Sequence, residues 1–248
     1  MARRYGWKPD VPDQRDVYCT LPWLPTLPPK IDLSAGCGPV YDQGALGSCT
    51  AQALAGAVEF DMLAQALPLV PPSRLFVYYN ERVIEGSTDQ DAGAALRDGI
   101  KALNKWGFCP EDMWPYDITQ FTVKPPNSAY TAAKADIVKA YKRVAQGIIP
   151  MKTVLASGRP FVAGISVYDS FESDEVAQTG VVPMPDPSES LLGGHAVLCI
   201  GYDDDADTFL MRNSWGDGWG MGGNFTLPQG YLASPDLAQD FWTITTVP

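Results

Sequence analysis

Gln43-Gly44-Ala45-Leu46-Gly47-Ser48-Cys49 is the stretch of this 248-residue chain that best indicates its fold, because a long apolar run follows it directly. The two glycines permit a tight bend, and serine favours the N-cap position of a helix. Apolar residues then recur at helical spacing, at Ala51, Leu54, Val58 and Met62. The pattern predicts a mostly apolar, buried helix that begins near Cys49. The unpaired N–H groups and the dipole of a helix N-terminus favour thiolate over thiol, so we expect Cys49 to be a nucleophile.

A thiolate that attacks acyl groups needs a partner that accepts and returns a proton. The only histidine of the chain, His195, lies in Leu192-Gly193-Gly194-His195-Ala196-Val197-Leu198. Asn213 follows it in Met211-Arg212-Asn213-Ser214-Trp215-Gly216-Asp217-Gly218-Trp219-Gly220. Cysteine, histidine and asparagine, well separated and in this order, are typical of a thiol hydrolase whose catalytic base is oriented by an amide.

These three segments resemble the papain family of cysteine peptidases, and the chain is most similar to its short bacterial members of the xylellain type. The resemblance runs from about residue 27 to the C-terminus. It implies an α+β fold with a helical half, an antiparallel β-barrel-like half and an active-site cleft between them. It also implies a cysteine endopeptidase that hydrolyses peptide bonds through a thioester acyl-enzyme.

The resemblance assigns roles to two further side chains near the predicted triad. The amide of Gln43, six residues before Cys49, would stabilise the oxyanion together with the Cys49 backbone N–H. The alternative for Gln43 is an ordinary surface glutamine. Trp215 would shield the hydrogen bond between Asn213 and His195 from water.

Substrate-binding positions follow from the same resemblance. Gly93 would lie in the turn that binds the substrate backbone as an added strand, although a simple loop glycine is the alternative because the double glycine of the family is not reproduced. Gly164 and Ala196 would line the pocket for the residue two positions before the cleaved bond. Their small size predicts room for a large apolar side chain there.

Two positions depart from the family pattern. Leu46 stands where secreted relatives have a cysteine, so their usual disulfide cannot form, which favours an intracellular protein. Thr50 stands where relatives usually have tryptophan directly after the nucleophile. We expect the threonine to change packing beside the thiol, and so efficiency or specificity, without removing a catalytic group.

Composition excludes several other classes of protein. The chain is 46% hydrophobic and 19% charged, as expected of a soluble globular protein, and its net charge of −11 disfavours nucleic-acid binding. No apolar run is long enough to span a membrane, and the N-terminus lacks a signal-peptide pattern, so we expect a cytoplasmic protein. Five cysteines without a Cys-x-x-Cys pair, and a single histidine, predict neither a metal site nor a cofactor.

The order of elements predicts three regions. Residues 1–26 are rich in proline and tryptophan and predict an irregular arm, either a strap packed on the surface or an inhibitory pro-segment across the cleft. Residues 27–130 predict a helical subdomain that carries the nucleophile, with helices from Arg74 to about Glu85 and from Leu96 to Gly107. Residues 131–248 predict a β-rich subdomain that carries the histidine and asparagine.

Within the β-rich region, runs of β-branched and aromatic residues predict four strands. They cover residues 161–168, 195–202, 208–213 and 241–247, with a short helix around residues 151–155 before them. The acidic run at residues 203–207 lacks the ligand spacing of a calcium loop and is interpreted as a solvated hairpin turn.

Three functions are compatible with these residues. The first is a papain-like endopeptidase, expected to be a monomer that acts on peptides or proteins. The second is a thiol acyltransferase or amidase that uses the same residues on another acyl donor. The third is a latent, non-catalytic binding module whose cleft is filled by its own arm.

Overall fold

The computed structural model of the chain describes residues 4–21 and 26–247, and for residues 246–247 it describes the backbone alone. The parts of the predicted arm at residues 1–3 and 22–25 lie outside the described residues. Seven α-helices are described. They are α1 (Cys49–Ala64), α2 (Arg74–Glu85), α3 (Leu96–Trp106), α4 (Asn127–Ala133), α5 (Ile148–Ala156), α6 (Asp174–Thr179) and α7 (Gln229–Ala233).

Nine strands complete the described part of the chain: β1 (Trp7–Lys8), β2 (Lys30–Asp32), β3 (Ala94–Ala95), β4 (Ile137–Arg143), β5 (Phe161–Tyr168), β6 (Leu191–Asp203), β7 (Thr208–Arg212), β8 (Asn224–Pro228) and β9 (Ala238–Val247). Strands β1 and β3 form a small parallel pair. The others form one sheet in the order β4-β9-β5-β6-β7-β8, with β2 paired to β6. Along this path the sheet stays open, so the predicted barrel-like half is an antiparallel sheet that does not close.

The main helices and strands agree with the sequence prediction. Helix α2 begins after Ser73, whose hydroxyl accepts the Phe76 N–H, and ends at Gly86 in the left-handed conformation. Helix α3 ends at Gly107, and β5 covers the predicted residues. The acidic run forms the turn between β6 and β7. Strands β1–β4 and β8 and helices α4, α6 and α7 were not predicted. Strand β4 mixes charged and apolar residues without clear alternation, and the other missed elements have seven residues or fewer.

Ser48 corrects one local prediction. It occupies the residue before α1, but its side chain makes no hydrogen bond to the helix N-terminus. Its hydroxyl instead contacts the Tyr116 hydroxyl at 2.5 Å and accepts from Gln52 Nε2 at 3.1 Å. The serine therefore connects the start of α1 to the loop around Tyr116. This tertiary contact replaces the local N-cap.

Helix α1 lies at the centre of the molecule. Twelve of its sixteen residues are buried, including apolar residues on every side. It packs against α2, α3, β6 and β9, so its sequence is apolar all round rather than amphipathic. This burial fixes Cys49, the first residue of α1, against strand β6, which carries His195.

Glu59 is a buried carboxyl group on α1, 1% exposed. It accepts a hydrogen bond from Tyr41 Oη at 2.6 Å and packs against Gly38, where a Cβ would approach its Oε2 to 2.5 Å. Burial raises the pKa of Glu59 to about 7, although the Tyr41 hydrogen bond and the Arg212 charge act in the opposite direction. The folded protein therefore keeps this proton at pH values where the unfolded chain has lost it.

Replacement of Glu59 by glutamine is expected to change how stability depends on pH. Because the folded pKa lies above the ordinary value of 4.5, the contribution of Glu59 to stability is complete below about pH 4.5 and is lost as the pH rises through 7. In wild type the free energy of unfolding should therefore fall by about 3 kcal/mol over this pH range, and in Glu59→Gln this decrease should be absent. Chemical denaturation at pH 5 and pH 8 measures it, with the exposed Glu175→Gln as the matched control. Equal pH dependence in wild type and Glu59→Gln would show that Glu59 ionises normally.

Candidate active site

His195 and Asn213 form the centre of the site. His195 is fully buried in β6, and its Nε2 lies 2.8 Å from Asn213 Oδ1. The backbone N–H of Ser214 donates to the same Asn213 atom at 2.8 Å, which identifies that atom as the amide oxygen. An oxygen that accepts from both sides requires the imidazole to carry a proton on Nε2. Asn213 therefore fixes the tautomer of the ring.

Trp215 covers this hydrogen bond. Its ring stacks on the His195 ring with centroids 5.0 Å apart and an interplanar angle of 26°. The indole is 8% exposed and also packs edge-to-face on Phe171 and Trp219. The position matches the predicted shielding role, since an apolar ring over a hydrogen bond excludes water and strengthens it.

Gln43 is buried, not a surface glutamine. Its Oε1 accepts the Ser214 hydroxyl at 2.7 Å, and its backbone N–H donates to the Ser214 carbonyl at 2.9 Å. These contacts leave the Nε2 group to donate to Leu46 O at 3.0 Å and to Arg4 O at 3.2 Å. The second acceptor is a carbonyl of the N-terminal arm, so the predicted oxyanion donor already holds a peptide oxygen.

Cys49 differs electrostatically from the expected thiolate. The residue is fully buried, and loss of hydration raises the pKa of its thiol to about 11. Backbone hydrogen bonds from Ala196, Gly6 and Thr50 lower the pKa but do not compensate. The helix N-terminus alone therefore does not ionise the thiol in this state, because the loss of hydration outweighs the N–H groups that favour the charged form.

The arm lies along the site from Arg4 to Lys8. Tyr5 packs edge-to-face with His195 and Trp215, and its hydroxyl donates to Glu172. Strand β1 pairs in parallel with β3, and the Gly6 carbonyl accepts the Ala94 N–H at 2.7 Å. A short segment of the chain's own backbone is thus added as a strand beside the candidate nucleophile.

The predicted substrate-binding glycines contact this arm. Gly93 has a φ of +65°, and a Cβ there would lie 2.0 Å from the Gly6 carbonyl oxygen. A Cβ at Gly164 would lie 2.0 Å from the Trp7 indole. Ala196 pairs with Gly164 across β5 and β6. Glycine at positions 93 and 164 therefore leaves room for the arm, whereas a side chain there would clash with it.

Sequence reasoning missed two acidic residues of the site. Asp91 accepts the Gly47 N–H at 3.0 Å and the Tyr78 hydroxyl at 2.6 Å, and it pairs with Arg4 at 3.0 Å. Glu81 is fully buried and accepts the Thr50 hydroxyl at 2.7 Å. Burial raises the pKa of Glu81 well above its ordinary value. The threonine after Cys49, which departs from the family pattern, therefore joins the start of α1 to α2.

Across residues 4–21 and 26–247, no cluster of three or more His, Cys, Asp or Glu side chains is placed to hold a metal ion. No helix in the same residues is long and apolar enough to cross a bilayer.

Comparison with known proteins agrees with this geometry. The family model described as papain family cysteine protease matches residues 27–241 of the chain. The chain belongs to the papain family of cysteine proteases. The papain-like fold predicted from the three motifs is confirmed, as a mixture of helices and an antiparallel sheet.

Individual relatives of this papain-family protease extend the comparison. It is 44% identical to xylellain, a cysteine protease from Xylella fastidiosa, with a TM-score of 0.92 over 100% of this chain and 99% of that structure. An uncharacterized peptidase C1-like protein of Acanthamoeba polyphaga mimivirus is 40% identical over 100% of this chain and 88% of its own length. Procathepsin L 3 of Tenebrio molitor shares the fold at 17% identity, with a TM-score of 0.74 over 93% of this chain and 74% of that structure.

Proposed function

We propose that this protease is a cysteine endopeptidase that uses Cys49, His195 and Asn213 and is held latent by its N-terminal arm. The observation that carries the proposal is the position of Gly6. Its backbone hydrogen-bonds the Cys49 thiol, while the neighbouring Arg4 carbonyl accepts from Gln43. A peptide therefore fits this cleft with its backbone beside the sulfur and a carbonyl on the candidate oxyanion donor.

The proton chemistry follows from the tautomer. Because Nε2 of His195 donates to Asn213 Oδ1, Nδ1 is the ring nitrogen that takes the proton of the Cys49 thiol. The thiolate adds to the substrate carbonyl carbon, and the imidazolium returns the proton to the leaving amine, which gives a thioester. Water then adds to the thioester with His195 as the base, and the thiol is regenerated as the acid product leaves.

The oxyanion that forms in both steps needs donors that are already in place. Gln43 Nε2 is such a donor, because the Ser214 hydroxyl and backbone hold the other end of its amide. The N–H of Cys49 is the second, since the first N–H groups of a helix have no acceptor within the helix. Fixed dipoles of this kind stabilise developing charge without reorganisation.

Two properties of the arm support latency. It fills the places where a substrate would lie, with Gly6 beside Cys49 and the Trp7 indole against Gly164. It also buries the thiol, and the raised pKa of Cys49 keeps the sulfur protonated at neutral pH. A neutral thiol is a poor nucleophile, which explains how the arm can lie in the cleft uncut.

A buried ionic network anchors the arm beyond the cleft. Asp10 accepts from the Arg97 N–H at 3.0 Å and from Trp242 Nε1 at 2.9 Å, and it pairs with Arg143 at 3.1 Å. Its own N–H donates to Asp240 at 2.7 Å. These contacts make the arm an integral part of the folded chain, held by buried polar groups as well as by its aromatic residues.

Replacement of Trp7 by alanine is expected to raise peptide hydrolysis by the full-length chain at least tenfold. Trp7 is 8% exposed, and truncation of a buried tryptophan costs about 3–5 kcal/mol. The lost free energy weakens docking of the arm, so the cleft is open in a larger fraction of molecules. Hydrolysis of a fluorogenic dipeptide in reducing buffer measures the effect.

Tyr18→Ala is the matched control, since Tyr18 belongs to the arm but is 53% exposed. Hydrolysis by Trp7→Ala no faster than by wild type would contradict latency. Product analysis with added amine acceptors separates hydrolysis from acyl transfer. A Cys49 that stays inert to iodoacetamide in the Trp7→Ala chain would favour the binding module.

A further inference from the structure

A small cavity lies between Asn213 and helix α1. Its volume is about 10 Å³, which is close to the space that one water molecule needs. Asn213 and Ser214 line it on one side, Gly56 of α1 lines it on another, and Tyr41 also contributes to its wall. The cavity therefore separates the helix that begins at the candidate nucleophile from the amide that orients the histidine.

The Asn213 amide is hydrogen-bonded within the protein through its oxygen. Oδ1 accepts the Ser214 N–H at 2.8 Å and lies 2.8 Å from His195 Nε2. The Nδ2 group is buried, and it has no hydrogen-bond partner in the described part of the chain. Because Asn213 is only 4% exposed, bulk water does not satisfy this group. A buried N–H donor without a partner is costly, and the cavity is the space beside Asn213 in which a partner fits.

Two hydroxyl groups of the cavity wall are suited to accept the protons of a water molecule. The Tyr41 hydroxyl donates its own proton to Glu59 Oε1 at 2.6 Å, and the Ser214 hydroxyl donates its proton to Gln43 Oε1 at 2.7 Å. Each hydroxyl oxygen keeps lone pairs that accept. A water that accepts from Asn213 Nδ2 and donates to these oxygens makes three hydrogen bonds, the usual number for a buried water.

We propose that this cavity binds one water molecule, which accepts from Asn213 Nδ2 and so holds the amide oxygen on His195. The water has a positioning role, because it acts on the imidazole through Asn213 and touches no substrate. Without it, the amide can satisfy Nδ2 only by turning, and turning takes Oδ1 away from the ring. The effect of the water on hydrolysis rests on the proposed function, whereas its binding does not.

Gly56 allows the cavity to be filled while its polar groups stay in place. The nearest atom outside α1 to a Cβ at this position would be Leu198 Cδ2 at 3.6 Å, an ordinary contact. Alanine is also a better helix former than glycine, so Gly56→Ala should fold. Its methyl group would displace the water, whereas the hydroxyl of Gly56→Ser, a side chain of nearly the same size, can accept from Nδ2 in its place. Gly230→Ala, in α7, is the control for a glycine replaced in a helix.

A high-resolution crystal structure of the full-length protein tests the binding directly. We expect one water at about 2.7–3.2 Å from Asn213 Nδ2 in the wild-type protein. This water should be absent from Gly56→Ala, and the serine hydroxyl should replace it in Gly56→Ser. A cavity without water in the wild-type protein would overturn the inference.

The positioning role is measurable because His195 is the single histidine of the chain. In protein labelled with ¹⁵N-histidine, the ring signals come from His195 alone and report the fraction of rings protonated on Nε2. Gly56→Ala should lower this fraction, and Gly56→Ser should keep it near the wild-type value.

Peptide hydrolysis in the full-length Trp7→Ala chain gives a second measurement. Addition of Gly56→Ala should lower kcat about tenfold, as for loss of one buried hydrogen bond, with a much smaller change in KM. Addition of Gly56→Ser or of Gly230→Ala should leave kcat within about twofold of the parent chain.

The remaining outcomes distinguish this inference from the proposed function. Ring signals and kcat that do not change in Gly56→Ala would overturn the positioning role. Equal losses in Gly56→Ala and Gly56→Ser would overturn it too, because occupation of the cavity and not the hydrogen bond would then be responsible. Absence of hydrolysis from every chain, with the water and the ring signals as expected, would overturn the proposed function and support this inference.

Discussion

Replacement of Cys49 by serine is expected to lower peptide hydrolysis by roughly 10⁴-fold or more, because a nucleophile and its base act as one unit. The measurement is best made in the full-length Trp7→Ala chain, where the arm no longer limits access to the cleft. Serine has nearly the size of cysteine, but its hydroxyl is a far weaker acid, so His195 cannot convert it to an anion as readily. Loss of activity with an unchanged circular dichroism spectrum would assign the chemistry to this sulfur.

Cys37→Ser is the matched control for this substitution. Cys37 is a half-buried thiol whose contact is the Leu33 carbonyl, and burial raises the pKa of its thiol. Its replacement should leave hydrolysis and the labelling of Cys49 by iodoacetamide at the level of the parent chain. Substantial residual hydrolysis in Cys49→Ser would contradict the proposed nucleophile.

Replacement of Gln43 by glutamate is expected to lower kcat by about 10²–10³-fold. Glutamate keeps an oxygen for the Ser214 hydroxyl, which now donates to Gln43 at 2.7 Å. It removes the Nε2–H group that would hold the oxyanion, and it places like charge beside the developing negative charge. Because the donor acts on the transition state, KM should change much less than kcat.

Gln52, a buried glutamine of α1, is the control for loss of a buried amide side chain close to Cys49. It is 2% exposed and donates to the Ser48 hydroxyl at 3.1 Å. Gln52→Ala should lower the free energy of unfolding, with a much smaller effect on kcat than Gln43→Glu. Equal losses of kcat in the two variants would mean that Gln43 acts through packing and not as an oxyanion donor.

The local sequence was sufficient to predict the longer helices and most of the longer strands, and to propose the residues of the triad. Ser73 and Gly86 delimit α2 as predicted, because a capping hydroxyl and a left-handed glycine are local signals. His195 and Asn213 were proposed from their own short motifs, and the structure places them in hydrogen-bond contact. Their roles in catalysis stay a prediction. The threefold division at residues 26 and 130 stays a prediction. The pairing of Lys30–Asp32 with β6 brings a segment of the predicted helical region into the sheet.

The ionisation state of Cys49 could not be predicted in the same way. A helix N-terminus lowers the pKa of a thiol, but full burial raises the pKa of Cys49 to about 11. Burial depends on which segments cover the sulfur, and Gly6 is 43 positions away in the chain. Asp91 was missed for the same reason, since the polar run of residues 87–91 is typical of any exposed loop.

The sequence alone determined the family, the helices and strands with clear local signals, and the candidate cysteine, histidine and asparagine, because each depends on residues close together in the chain. The tertiary structure decided where the N-terminal arm lies, how Asp91 is placed, and whether the thiol is charged. These depend on desolvation and on contacts between distant segments, which arise only when the chain is folded.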